Sequence, residues 1–234
     1  MSAIFWKEVK SYFYSPMAYI LIGLFILLTS IFFYPNLIYS SGDFNSTLST
    51  MGFILLFIIP VLTMKILAED RKNGTEVLLI TSPASITSMV VGKFFAVCFV
   101  FLIMTALTFL YPLILMAFGG TFTVQLLGGY IGFILLGATF ISIGVFASSL
   151  TENQVVAVVI SFVSLLIMWL SSSLASMVGG FASKVLGWFS LMSRYEDFNR
   201  GIFGLSPVVY YLSFMAVFLF LTIRVIEKRR WSQG

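Results

Sequence analysis

Residues 69–85 read Glu-Asp-Arg-Lys-Asn-Gly-Thr-Glu-Val-Leu-Leu-Ile-Thr-Ser-Pro-Ala-Ser and divide two long apolar runs. Glu69, Asp70, Arg71, Lys72 and Glu76 make this the most charged stretch between such runs. The run before it predicts a helix that enters the charged cluster and stops at Asn73-Gly74, because glycine takes the left-handed conformation that closes helices. Thr75 is placed to cap a new turn, with Glu76 at that turn's positive end. Val77 to Ile80 supplies a short apolar face, and Pro83 biases Ser82 away from helix. Ser85 is placed to cap the next helix, which carries Lys93 into a further apolar run. The expected product is a bent, rigid knob held at a membrane surface by two helices that enter the bilayer.

The rest of the chain supports that setting. Apolar residues make up 60% of the 234, charged residues 9%, and the mean hydropathy is +1.07. A soluble domain carries roughly a quarter charged residues, so a water-facing surface cannot be built from this composition. Apolar stretches of about 20 residues cross a bilayer as helices, and six are readable, at 17–37, 50–68, 92–118, 127–149, 155–177 and 207–226. The third is long enough to tilt or to bend at Pro112. Ahead of them, Ile4, Phe5, Val9, Tyr12 and Phe13 share one helical face, with Lys7, Glu8, Lys10 and Ser11 elsewhere. Residues 1–15 are therefore expected to lie on the membrane as an interfacial amphipathic helix. The fold class is an all-α integral membrane protein, with 1–234 forming one transmembrane domain.

Basic residues orient it. Lys7, Lys10, Lys65, Arg71, Lys72, Lys93, Arg224, Lys228, Arg229 and Arg230 fall on one side of this topology. Only Lys184, Arg194 and Arg200 fall on the other, so the thirteen divide ten to three. By the positive-inside rule both termini and the knob are cytoplasmic. The net charge of +4 follows this topology and needs no nucleic acid to explain it.

The fourth apolar run carries Gly128, Gly132, Gly137, Ser142, Gly144 and Ser148, small residues that let helices approach closely in lipid. Thr151 to Gln154 reads as a tight turn. Residues 177–206 mix aromatics with charge, as at a bilayer interface. There Arg194 or Arg200 is expected to pair with Glu196 or Asp197.

The pattern Glu69-x-Arg71-x-x-Gly74-Thr75-Glu76-x-Leu78-Leu79-x-x-Ser82-Pro83 resembles the coupling-helix signature of ABC type 2 transporter permeases. The short chain and its opening are similar to permeases of the gliding-motility and nitrous-oxide-reductase-maturation type. The resemblance implies a separate ABC ATPase dimer that binds the ATP, with no cofactor on this chain. It implies a second permease subunit, identical or homologous, and leaves room for an accessory membrane subunit. The location implied is the bacterial cytoplasmic (inner) membrane. Glu69, Arg71, Gly74, Thr75, Glu76, Leu78, Leu79 and Pro83 would then engage the ATPase. Arg194-Tyr195-Glu196-x-Phe198-x-Arg200-Gly201 resembles the family's outer re-entrant segment, making Arg194, Tyr195, Glu196 and Arg200 candidates for an outer gate.

Other classes find little footing. There is no phosphate-binding loop, since Gly92-Lys93 is followed by Phe94 and Thr87 stands where a glycine is required. Histidine is absent and Cys98 is the single cysteine, so no catalytic or metal-ligating cluster is legible. An ion-coupled carrier would keep an ionisable residue at mid-bilayer. Lys65, the nearest, lies close enough to a helix end to reach the interface. A membrane scaffold that passes on ATP-driven motion without moving a substrate is the main alternative.

Overall fold

A computed structural model of the protein describes residues 1–38, 44–75, 85–118, 123–178, 180–202 and 204–232. Among these it is all-helical, with six helices long and apolar enough to cross a membrane and an amphipathic helix ahead of them. The first helix, α1 (Ser2–Tyr14), is separated from the first span, α2 (Pro16–Ile38), by a single residue. Pro16 sits at the first position of α2, where its missing N–H costs nothing, and it pushes Ser15 out of the helical region to φ −92°, ψ 142°. That one extended residue turns the interfacial helix away from the span.

The second span runs as α3 (Asn45–Thr63) into α4 (Lys65–Lys72), with Met64 at the junction. The third is α5 (Ile86–Thr108) followed by α6 (Leu110–Ala117). The sequence places a bend at Pro112, but the break lies at Phe109. Proline disturbs the helix on its N-terminal side, because its ring crowds the carbonyl four residues earlier, here that of Thr108. Then come α7 (Val124–Leu150) and α8 (Gln154–Met177), the short helices α9 (Phe181–Phe189) and α10 (Leu191–Asn199), and α11 (Leu205–Ser232).

The fourth span, α7, is the axis of the bundle. It packs against α3, α4, α5, α8, α10 and α11. Its spanning window is 72% buried, against 22% for α8 and α11. Its glycines explain why. A Cβ at Gly137 would collide with the Phe101 ring and one at Gly144 with the Thr63 side chain, while at Gly132 it would lie 2.7 Å from Phe198 Cβ. Lipid is as apolar as these side chains, so close packing between helices, rather than exclusion of water, sets the association.

The two ends of the bundle differ. At one end Glu8, Asp70 and Lys93 meet, and the Arg229 guanidinium donates to the Ser149 carbonyl. At the other, Asn199 donates to Ser49 and Asn36 donates to Thr47. Asn45 is buried there.

Candidate coupling site

Glu69 and Arg71 lie on the last turn of α4, half-buried, and Asn73 closes the helix with its N–H donated to the Glu69 carbonyl at 2.9 Å. Arg71 and Lys72 sit where the helix dipole favours cations. Gly74 has φ +70°, the conformation the helix stop requires. The Thr75 hydroxyl turns back to donate to Asp70, 2.9 Å from Oδ1 and 3.2 Å from the carbonyl. Across the segment, Ser85 caps α5 by accepting the Ser88 N–H. Glu76, Leu78, Leu79 and Pro83 lie outside the described residues.

The root of this segment is held by an ion cluster that the sequence did not disclose. Lys93 is 1% exposed, and its ammonium donates to Glu8 Oε1 and to the Ile66 carbonyl, both at 2.8 Å, and forms an ion pair with Asp70 Oδ2 at 2.6 Å. Asp70 Oδ2 faces the ammonium as an ion pair outside hydrogen-bond geometry, while Oδ1 takes the Thr75 hydroxyl. A buried ammonium needs partners and hydrogen bonds, and Lys93 has two carboxylates beside it and two hydrogen bonds. The cluster joins α1, the end of α4 and the first turns of α5, the two stems of residues 69–85 included.

This corrects two expectations. Glu8 is buried rather than part of the wet face of α1. Lys93, not Lys65, is the most buried basic side chain among the described residues; it lies about 10 Å along α5 at 1.5 Å per residue. Lys65 instead rests its ammonium over the Tyr12 ring, 4.8 Å from the centroid. The Tyr12 hydroxyl donates to the Leu62 carbonyl at 2.6 Å. Burial, with Glu8 and Glu69 adding to it, pushes that hydroxyl's pKa well above the ordinary tyrosine value, so it remains a donor.

Ser148 of α7 makes the second anchor. Its hydroxyl accepts the N–H groups of Leu67 and Ala68, at 3.2 and 3.1 Å, and donates to the Met64 carbonyl at 3.0 Å. A side chain inserted into a helix ladder in this way bends the helix, and the break between α3 and α4 falls there. Ser148 reads in the sequence only as one of a row of small residues. Nearby, Asn153 caps α8 by accepting the Val155 N–H at 2.9 Å, so the α7–α8 turn follows its turn chemistry. Lys72 faces Glu152, Asn153, Gln154 and Val155 across a recess of about 340 Å³. The turn and the root of the segment thus share one surface. Neither Glu69 nor Arg71 forms an ion pair with another described residue.

The residues expected at the outer gate are not gathered into one cluster. Arg194 stacks over the Tyr210 ring at 5.3 Å and does not pair with Glu196 or Asp197. Glu196 meets Arg200 at 3.7 Å with both side chains mostly exposed. Tyr195 is fully buried, its hydroxyl beside Asn199 and Ser49 but outside good hydrogen-bond geometry. Burial raises its pKa, and those two neighbours offset only part of the rise.

A family model described as "ABC-2 family transporter protein" matches residues 39–226. The chain belongs to this family. It is a multi-pass membrane component of an ABC transporter, and subunits of this family are generally non-catalytic. No curated protein matches the chain.

Proposed function

We propose that this chain is the membrane half of an ATP-driven machine whose hydrolysis takes place on a separate ABC ATPase dimer. Residues 69–85 are the element that the ATPase grips. The observation that carries this reading is the Glu8–Lys93–Asp70 cluster. A loop that merely let the chain turn would need no buried ion node tying both its stems to a third helix. With α4 also pinned to α7 through Ser148, a force applied at 69–85 moves α1, α4, α5 and α7 together, and rigid-body rotation of packed elements is a common switching mode. Glu69 and Arg71, with no ion-pair partner among the described residues, are the charges left to meet the ATPase, joined by Glu76. Such charges set register and partner choice more than raw affinity. Leu78 and Leu79 fill its apolar groove, and the recess between Lys72 and Glu152 lies beside this contact.

Two such subunits, identical or homologous, form the path, since one six-span bundle supplies half of a two-fold pump. Both termini and the coupling segment face the cytoplasm in a bacterial inner membrane. The subtype that fits best is the gliding-motility and nitrous-oxide-reductase-maturation type, where an accessory membrane subunit has a place. Lys93 does not favour an ion-coupled carrier, because its charge is already paired with the two carboxylates of Glu8 and Asp70.

The test is copurification of an ABC ATPase with the Leu79→Asp and Glu69→Arg variants. Both are expected to lose the ATPase while inserting into the membrane and melting near the parent temperature. Retained ATPase in both variants removes the coupling role. A force-transmitting scaffold that passes no substrate differs in one outcome: deleting the gene causes no substrate to accumulate.

A further inference from the structure

The last span, α11, carries charge on the strip that it turns away from the bundle. Tyr211, Met215, Thr222 and Ile226 recur at helical spacing and are buried, and Arg229 on that side donates to the Ser149 carbonyl. These contacts fix the rotation of the helix. Val217, Phe220 and Leu221 then face outward, each more than a third exposed on a span apolar enough to cross a membrane. Arg224 and Lys228 continue the same strip at steps of three and four residues, and both are exposed. Basic and apolar side chains meet on it: the Arg224 guanidinium lies over the Phe220 ring, 4.9 Å from the centroid.

Arg224 stands one turn and a half before Arg229, about 7.5 Å deeper along the helix at 1.5 Å per residue. A guanidinium facing lipid has to find a counter-charge or reach water. Glu227 accepts from Nη1 of Arg224 at 2.9 Å, which leaves the rest of the guanidinium's donors unspent. No other hydrogen bond joins the Arg224 side chain to a described residue, and Lys228 has no ion-pair partner among them. Two cations and one carboxylate therefore leave a single positive charge at the head of an apolar strip. A phospholipid phosphate answers both features. Its oxygens match the guanidinium fork, which binds phosphate bidentately, and it arrives with acyl chains attached. A zwitterionic headgroup brings no net charge, so charge complementarity selects an anionic one.

We propose that this strip of α11 is a site for an anionic phospholipid, its phosphate held between Arg224 and Lys228 and an acyl chain lying along Phe220 and Val217. The inference rests on the membrane location alone and not on the ATPase reading, so the two fail separately.

The test uses the full chain, without any ATPase, in phosphatidylcholine nanodiscs. These carry a small, equal share of either phosphatidylglycerol or phosphatidylcholine with a diazirine on the acyl chain. Photo-adducts are mapped by mass spectrometry, and the readout is the ratio of glycerol-headgroup to choline-headgroup labelling. One net positive charge near the surface is expected to give a ratio of about fivefold at Val217 to Leu221. Val163, similarly exposed on α8 and about as many residues from the α7–α8 turn as Phe220 is from Arg229, serves as the reference and should show a ratio near one. Arg224→Gln/Lys228→Gln is expected to bring the α11 ratio down to the α8 value while α8 labelling stays as it was. Glu227→Gln, which leaves the two cations unopposed, is expected to raise the α11 ratio, so the site is tested by changes of opposite sign. Equal ratios on α11 and α8 overturn the site, as does a preference that survives the double variant. A ratio that does not rise in Glu227→Gln overturns the placement of the phosphate.

Discussion

At the scale of single residues, the buried Lys93 ammonium decides how the cytoplasm-facing proposal is tested, because charges out of water leave large signatures. Removing one partner of a buried ion pair costs about 3–5 kcal/mol, whereas replacing the whole set by apolar groups is often neutral. Lys93→Met is therefore expected to lower the unfolding temperature sharply, since it leaves Glu8 and Asp70 facing each other without a cation. The triple variant Glu8→Leu/Asp70→Asn/Lys93→Met should recover most of that loss, with the amide oxygen introduced at position 70 still accepting from Thr75. Thermal unfolding in nanodiscs measures both, and a triple variant as unstable as the single one would show that the cluster's charge is not the cause. Ser148→Ala is expected to cost about 1–3 kcal/mol, the range for stranding buried polar groups, because the Leu67 and Ala68 N–H groups lose their acceptor together. Neither contact could be read from the sequence. Glu8 and Lys93 stand 85 positions apart and Ser148 lies 80 from Ala68; periodicity places a residue on a face but does not say which distant element covers it.

Whole elements were more legible, because their signals are local. The helix stop at Asn73-Gly74, the Ser85 cap and the six apolar runs all depend on neighbours within a few residues, and the structure shows each of them. The Phe109 break was displaced from Pro112 by the direction in which proline acts. Small residues on α7 announced close packing, and the partners now supply a test. Gly137→Ala drives a methyl into the Phe101 ring, and overpacking of this kind costs typically about 1–3 kcal/mol. Phe101→Leu removes the ring's far end, where the collision occurs. The double variant should thus be more stable than the sum of the two single losses predicts, and strict additivity would mean that the helices had already moved apart. On α10, the exposed Glu196–Arg200 pair is worth at most about 1 kcal/mol, so an outer-gate role has to show in activity. Arg194→Ala, which only uncovers the Tyr210 ring, is expected to change the ATPase activity of the assembled complex and leave assembly intact. Failed assembly would assign Arg194 to structure instead.

The whole molecule is polarised, and this gives the sharpest topological prediction. Residues 8, 70, 93, 149 and 229 converge at one end through the ion cluster and the Arg229–Ser149 contact, as do Lys72 and Glu152 across their recess. Asn36 meets Thr47 at the other, where Asn199 also meets Ser49 and Asn45. Ten of the thirteen basic residues belong to the first end. Because basic residues near span ends are retained on the cytoplasmic side, that end is expected to be the one an ATPase can reach. Cys98→Ser removes the single native thiol, so new cysteines report on position without background. Lys184 suits the far end better than Ser183, whose hydroxyl is tied to the Ala175 carbonyl, and Glu152 suits the near end because it is exposed beside Lys72. A membrane-impermeant maleimide added to intact cells should label Lys184→Cys at once and Glu152→Cys only after the membrane is opened. The reverse pattern would place residues 69–85 outside, where no ATP-driven partner could grip them, and the coupling proposal would fail even though the family assignment stood.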